Sequence, residues 1–146
     1  MAAAPAAGAD GAPAAAPGAR RTAKQAGDEA EALALRHLQA AGLRLVCRNY
    51  RTPGRGGGEI DLVMRERAGG EDTLVFVEVR QRRGTGHGGA AASVGAVKQR
   101  RIVFAARHYL MRLPGAAPPC RFDVVTVEGE PGARRVGWLR AAFDAG

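Results

Sequence analysis

Glu59-Ile60-Asp61-Leu62-Val63 and Leu74-Val75-Phe76-Val77-Glu78-Val79-Arg80 decide how the chain folds, because each sets a carboxylate inside an apolar run that alternates with the period of a strand. In that alternation Asp61 shares a face with Glu59 and Val63, and Glu78 with Phe76 and Arg80. The polar, glycine-containing segment between the runs reads as a hairpin connection. A register that sets Asp61 opposite Glu78 brings their Cβ atoms to about 5 Å, where two anions repel unless a positive charge sits between them. A hard divalent metal ion is the simplest such charge.

The chain around these runs is strongly basic. Its 146 residues, long enough for one domain with a real core, carry 22 Lys+Arg against 14 Asp+Glu, a formal charge of +8. The pI near 10.9 points to a polyanionic partner such as nucleic acid, although a basic surface alone proves none. Cys47 and Cys120 are too few for a zinc cluster or a disulfide scaffold, so a reducing cytoplasm is the expected setting. No apolar run is long enough to cross a bilayer. Residues 1–22 are dominated by Ala, Pro and Gly and read as a disordered tail, without the basic start and apolar block of a secretory signal. Residues 23–146 form the expected domain.

From about Lys24 the pattern turns helical, and Gly27, Ala30, Ala34, Leu35, Leu38 and Ala41 gather on one side before Gly42 ends the helix. Glu31 falls within that stripe. Either it is aimed inward, as a metal ligand or a protonated acid, or it sits at the edge and pairs with an arginine; the sequence leaves both readings open. Leu43 to Tyr50 reads as the first strand, followed by the turn Pro53-Gly54-Arg55-Gly56-Gly57-Gly58. No helix follows these glycines to supply aligned amides, so they form a turn rather than a phosphate loop, with Arg51 and Arg55 placed to touch a backbone phosphate.

Beyond Glu78, Gln81-Arg82-Arg83 leads into Gly84-Thr85-Gly86-His87-Gly88-Gly89, which formally matches a dinucleotide-binding fingerprint. Basic residues interrupt the strand before it, and the expected helix is still running where the required acid would stand, so a flexible basic loop beside a polyanion is the better reading. His87 alone marks neither a metal ligand nor a base. The second helix, about Ala91 to Leu113, sets Val94, Ile102, Ala105, Tyr109 and Leu113 on one side, with Lys98 at the centre of the stripe. There Lys98 either meets an anion of the carboxylate site or snorkels along the helix surface. Gln99 lies at the margin, where its amide could orient a water or a phosphate, and Arg100 points away toward solvent or nucleic acid. Arg121-Phe122-Asp123-Val124-Val125-Thr126-Val127 is a further strand, with Asp123 expected to anchor an arginine. Arg135 to Leu139 reads as a short last strand, and Trp138 and Phe143 are expected to pack the end of the chain.

This order of helix, three strands, helix and strand, with an acid on the first helix, another on the second strand and Glu-x-Arg on the third, resembles the restriction-endonuclease-like core of the PD-(D/E)xK-type nucleases. More closely, the chain resembles the YraN-type uncharacterised protein family, through Gly27 to Gly42, Arg48-Asn49-Tyr50-Arg51, Gly58-Glu59-Ile60-Asp61-Leu62-Val63, Val75-Phe76-Val77-Glu78-Val79-Arg80, Ser93-Val94 with Lys98, Tyr109-Leu110 and Arg121-Phe122-Asp123-Val124-Val125. The resemblance implies an α/β fold, a mixed sheet flanked by helices. It also implies that Glu31, Asp61, Glu78 and the Val79 carbonyl surround Mg²⁺ or Mn²⁺, oxygen donors suited to such ions.

In that superfamily the metal activates a water to attack a phosphodiester, and a lysine two residues after the acid helps place the nucleophile. Here that position is Arg80, which stays charged and grips phosphate rather than taking a proton, and Lys98 is the candidate replacement. Ala30 stands where the family pattern usually has glycine. The catalytic set implied is therefore Asp61, Glu78, Arg80 and Lys98. Arg51, Arg55, Arg82, Arg83, Gln99 and Arg100 are expected on the nucleic acid, most readily DNA. The expected activities are a metal-dependent endonuclease acting on structured or branched DNA, as resolvases of Holliday junctions do, or a nucleic-acid-binding protein on the same fold without turnover. A basic protein-binding adaptor is the blander alternative. Homodimer formation is left open.

Overall fold

A computed structural model of the chain describes residues 22–82 and 94–146. Within them the elements run α1 (Ala23–Ala40), β1 (Arg44–Arg51), β2 (Glu59–Ala68), β3 (Glu71–Arg82), α2 (Ala96–Met111), β4 (Cys120–Glu128) and β5 (Arg135–Phe143). The expected tail, Arg83 and the Gly84–Gly89 loop with His87 lie outside the described residues. Thr22, assigned to the tail on sequence, belongs to the domain. Its hydroxyl accepts from the Gln25 amide while the Gln25 side chain accepts from the Thr22 amide, a reciprocal cap that starts α1.

The five strands form one sheet in the order β1-β2-β3-β4-β5. Neighbours are antiparallel except β3 and β4, which run parallel and are joined through α2. This is the mixed, helix-flanked α/β sheet of restriction-endonuclease-like proteins. A parallel pair needs a crossover, and the apolar runs of β3 and β4 are buried on both faces, as strands covered by helices must be. Ala34 and Leu38 of α1 pack on Leu43, Leu62, Met64, Val75, Val77 and Val125. Leu74, Phe76, Phe122 and Val124 pack under α2 against Ile102, Val103, Ala105 and Ala106.

Two irregularities shape the molecule. Tyr50 and Ile60 fall on the α2 side with Cys47 and Val63, although strict alternation would put them on the other, and between them Asn49 takes a φ of 52°. The alternation of β1 and β2 thus breaks beside Asn49 and Asp61, where the site lies, while the pairing register itself shifts earlier, between Leu45 and Cys47. At the far edge β5 continues to Phe143 rather than ending at Leu139, because the register with β4 shifts beside Asp123. The Asp123 carboxylate, fully buried, accepts the Ala141 amide at 2.9 Å and so replaces a missing ladder carbonyl. It also accepts from Trp138 Nε1 at 2.9 Å and from Arg121 Nε at 2.9 Å, the arginine anchor expected of it. Trp138 is therefore a hydrogen-bonding post as well as a packing residue.

Candidate metal centre

The antiparallel ladder of β2 and β3 runs to Leu62 opposite Val77, and one step further sets Asp61 across from Glu78. This is the facing arrangement of acids anticipated from the alternation. Asp61 Oδ2 accepts the Val79 amide at 2.8 Å, which pins it to the end of β3. Glu78 lies on the buried, α2-facing side of β3, its side chain 6% exposed. Lys98, near the start of α2, brings its Nζ to 3.5 Å from Glu78 Oε2.

Burial lifts both acids above their ordinary values. Glu78 is pushed to about 7, first by burial and then by the Asp61 charge, with Lys98 opposing. Asp61 is raised by burial against the pull of the Val79 amide and of Glu78. Each charge disfavours the other, and Glu78, pushed further up, is the one that more readily takes a proton.

Glu31 realises part of each reading proposed for it. It sits at the edge of the α1 stripe, whose buried residues are Ala30, Ala34 and Leu38, and the Arg48 guanidinium lies 3.9 Å from its Oε1. That same oxygen is buried without a hydrogen-bond partner. Burial and then the Asp61 charge push its pKa up, while Arg48 and Asn49 draw it down. Glu31 therefore feels Asp61 but does not touch it. Among the described residues no three His, Cys, Asp or Glu side chains are gathered tightly enough to hold a metal ion.

The donor set still fits a hard divalent cation. Asp61 and Glu78 offer facing oxygens whose mutual repulsion a dication would relieve, and Glu31 Oε1 is a buried acceptor without a hydrogen-bond partner whose group feels the Asp61 charge. The fit is a two-carboxylate platform, with Glu31 as a third arm that stands apart beside Arg48.

The remaining candidates are dispersed. Arg80 shares the Glu78 face of β3 and has no ion-pair partner among the described residues. Lys98 falls on the buried face of α2, between Ile102 and Ala105 at about 100° per residue, but in the first turn of the helix. Its side chain is 51% exposed, and only its tip turns to Glu78. Gln99 donates its side-chain amide to the Val94 carbonyl at 2.7 Å, so its donor is spent on tying down the segment that enters α2. Arg100 is exposed as expected, and Arg55 stands exposed in the glycine-rich turn. Arg51 is also exposed but leans on Glu59 at 3.5 Å, and Arg82 ends β3.

Sequence reasoning missed Arg101. Its Nε donates to the Gly57 carbonyl at 3.2 Å and, with Arg51, it lines a polar recess of about 200 Å³ in the turn. Only the close approach of Gly58 to α2 makes that contact, and no local pattern announces it.

A family model described as uncharacterised protein family UPF0102 matches residues 30–127, which span Glu31, both site strands and α2. The chain belongs to family UPF0102. A UPF0102 protein of Albidiferax ferrireducens is 68% identical over 124 residues, covering 85% of this chain and 91% of the relative. One from Verminephrobacter eiseniae is 65% identical over 140 residues, 91% of this chain and 92% of its own length. A UPF0102 protein of Methylibium petroleiphilum is 61% identical over 127 residues, with 98% of its length covered. The UPF0102 match therefore takes in the whole carboxylate site and not the sheet alone. Among its described residues no helix is long and apolar enough to cross a membrane.

Proposed function

We propose that this UPF0102 chain is a metal-dependent endonuclease that hydrolyses phosphodiesters in structured or branched DNA. The observation that carries the reading is the facing pair of Asp61, part-buried and pinned to the Val79 amide, and Glu78, buried and braced by Lys98, at the end of a mixed sheet. Asp61 and Glu78 would hold Mg²⁺ or Mn²⁺, with Glu31 and the Val79 carbonyl completing the oxygen set. A bound ion would supply an activated water and stabilise charge on the phosphate. Lys98 sets an ammonium beside Glu78, close to where the superfamily motif carries its lysine. Arg80, one strand period beyond Glu78 on the same face, serves to clamp a phosphate oxygen in a two-pronged grip, since its guanidinium cannot accept a proton. The two free cysteines suit the reducing cytoplasm in which such an enzyme meets DNA.

Arg80 in the lysine position favours a second reading, a DNA-binding protein on the same fold that no longer turns over. The test is cleavage of a four-way junction and of plain duplex with Mg²⁺, Mn²⁺ or EDTA. Metal-dependent cleavage that disappears in Asp61→Ala and in Glu78→Ala, with junction binding retained, is the expected result. Salt-sensitive binding indifferent to chelator and to both substitutions, without cleavage, selects the second reading.

A further inference from the structure

Helix α2 leaves an apolar stripe uncovered: Val97, Phe104 and Met111 are 63%, 54% and 84% exposed. They are spaced seven apart, so at about 100° per residue they fall within roughly 40° of one another on the helix surface. Arg101 flanks the stripe on the side of Lys98, and Arg100 and Arg107 flank it on the other. No acid occurs anywhere in α2. Beside Phe104 an open recess of about 520 Å³ separates the helix from the chain end, bordered by Arg100, Arg107 and Asp144. Arg107 reaches the Ala145 carbonyl at 3.3 Å and keeps its other donors free of that bond.

Charge decides what covers this face. A second copy docking here about a two-fold axis would set arginines against arginines around the stripe, a like-charge contact that opposes pairing. An anionic strand meets the same arginines favourably, and an exposed aromatic ring among them is a platform on which an unpaired base stacks. We propose that the outer face of α2 is a single-strand seat, in which Phe104 stacks on an unpaired base and Arg100, Arg101 and Arg107 hold the flanking phosphates. The proposal rests on the nuclease reading for its purpose, because Phe104 lies six residues, about 9 Å along the axis, from the Lys98 that reaches Glu78. The two positions also lie about 120° apart around α2, so a strand that leaves the carboxylate pair and follows the helix surface outward reaches Phe104.

The experiment measures fluorescence anisotropy of a labelled oligothymidylate and of a blunt hairpin duplex, in EDTA so that nothing is cut, over a salt series. Phe104→Ala is expected to weaken single-strand binding roughly 5- to 100-fold with an unchanged salt slope, and to weaken duplex binding far less. Phe104→Trp is expected to restore it. Arg100→Gln and Arg107→Gln are each expected to lower the salt slope by about 0.7. Equal losses on single strand and duplex, or affinities in Phe104→Ala matching the wild type, overturn the proposal. Conversion of a dimer to a monomer by Phe104→Ala with DNA affinity intact also overturns it, in favour of a self-association face. A wild-type chain that binds neither DNA overturns the nuclease reading as well, and is told apart because the proposal failing alone leaves wild-type binding in place.

Discussion

The raised pKa of Glu78 beside Asp61 makes two demands that solution measurements can check. In the unfolded chain Glu78 titrates near 4.5, whereas in the fold it titrates near 7, so between these values the native state binds more protons than the unfolded one. Stability of the metal-free protein is therefore highest below about pH 4.5 as far as this site is concerned, and falls as pH rises through about 7. The loss is on the order of 3 kcal/mol, at about 1.4 kcal/mol for each pH unit. Glu31 and Asp61, both raised, add in the same direction. Urea unfolding at several pH values, with Glu78→Gln as the non-titrating control, should show the slope in the wild type and a flatter curve in the variant. Mn²⁺ displaces the same proton, so its affinity should tighten with rising pH up to about 7 and level off above it, as calorimetry would register. Asp123 makes the opposite kind of demand. Its carboxylate holds Arg121, Trp138 and the Ala141 amide at once, so Asp123→Ala leaves the Arg121 guanidinium to Glu66 alone and strands two donors, Trp138 Nε1 and the Ala141 amide. A cost of about 2–5 kcal/mol, at about 1–3 kcal/mol for each stranded donor, is expected in urea unfolding, with Mn²⁺ binding retained if the variant is folded.

At the scale of elements, the glycine-rich turn between β1 and β2 is fitted against α2 at Gly58, where a Cβ would stand 1.9 Å from the Arg101 carbonyl oxygen. Both partners there are backbone and neither can yield cheaply, so Gly58→Ala should destabilise the domain by about 2–3 kcal/mol, whereas Gly54→Ala, strained but with open space around it, should cost less. Thermal midpoints of the two variants decide it. The turn itself was legible in the sequence, and so were β2, β3 and the facing of Asp61 with Glu78, because a two-residue period and a hairpin are local properties. What depends on how elements meet was not legible. The place of Lys98 in the first turn of α2 leaves it a half-exposed side chain, and Gln99 is spent on the Val94 carbonyl just before the helix. The distance from Glu31 to the pair follows from how α1 lies on the sheet. The extra length of β5 comes from a buried carboxylate patching a bulge, a long-range event that the run Arg135 to Leu139 does not encode.

The molecule as a whole carries +8, and this charge sets its dependence on salt in two opposite ways. Self-repulsion among the excess cations destabilises the compact state, and salt screens it over about 10 Å at 0.1 M. Salt also weakens ion pairs, but the pairs with exposed partners, such as Lys24–Asp28 and Arg135–Glu128, contribute little. The better buried network of Arg121 with Glu66 and Asp123 is shielded from ions by its surroundings. Repulsion should therefore dominate. Raising NaCl from low to near-physiological concentration is expected to lift the thermal midpoint by about 2–5 °C, the shift of roughly 1 kcal/mol in a domain of this size. The same change should weaken DNA binding steeply, because each phosphate contact made by arginine or lysine releases counterions. Stability and affinity moving in opposite directions along one salt series is the signature of a cation excess held for a polyanion. A midpoint that falls together with the affinity would mean that ion pairing within the fold outweighs the repulsion, and the basic surface would then lose its standing as a nucleic-acid face.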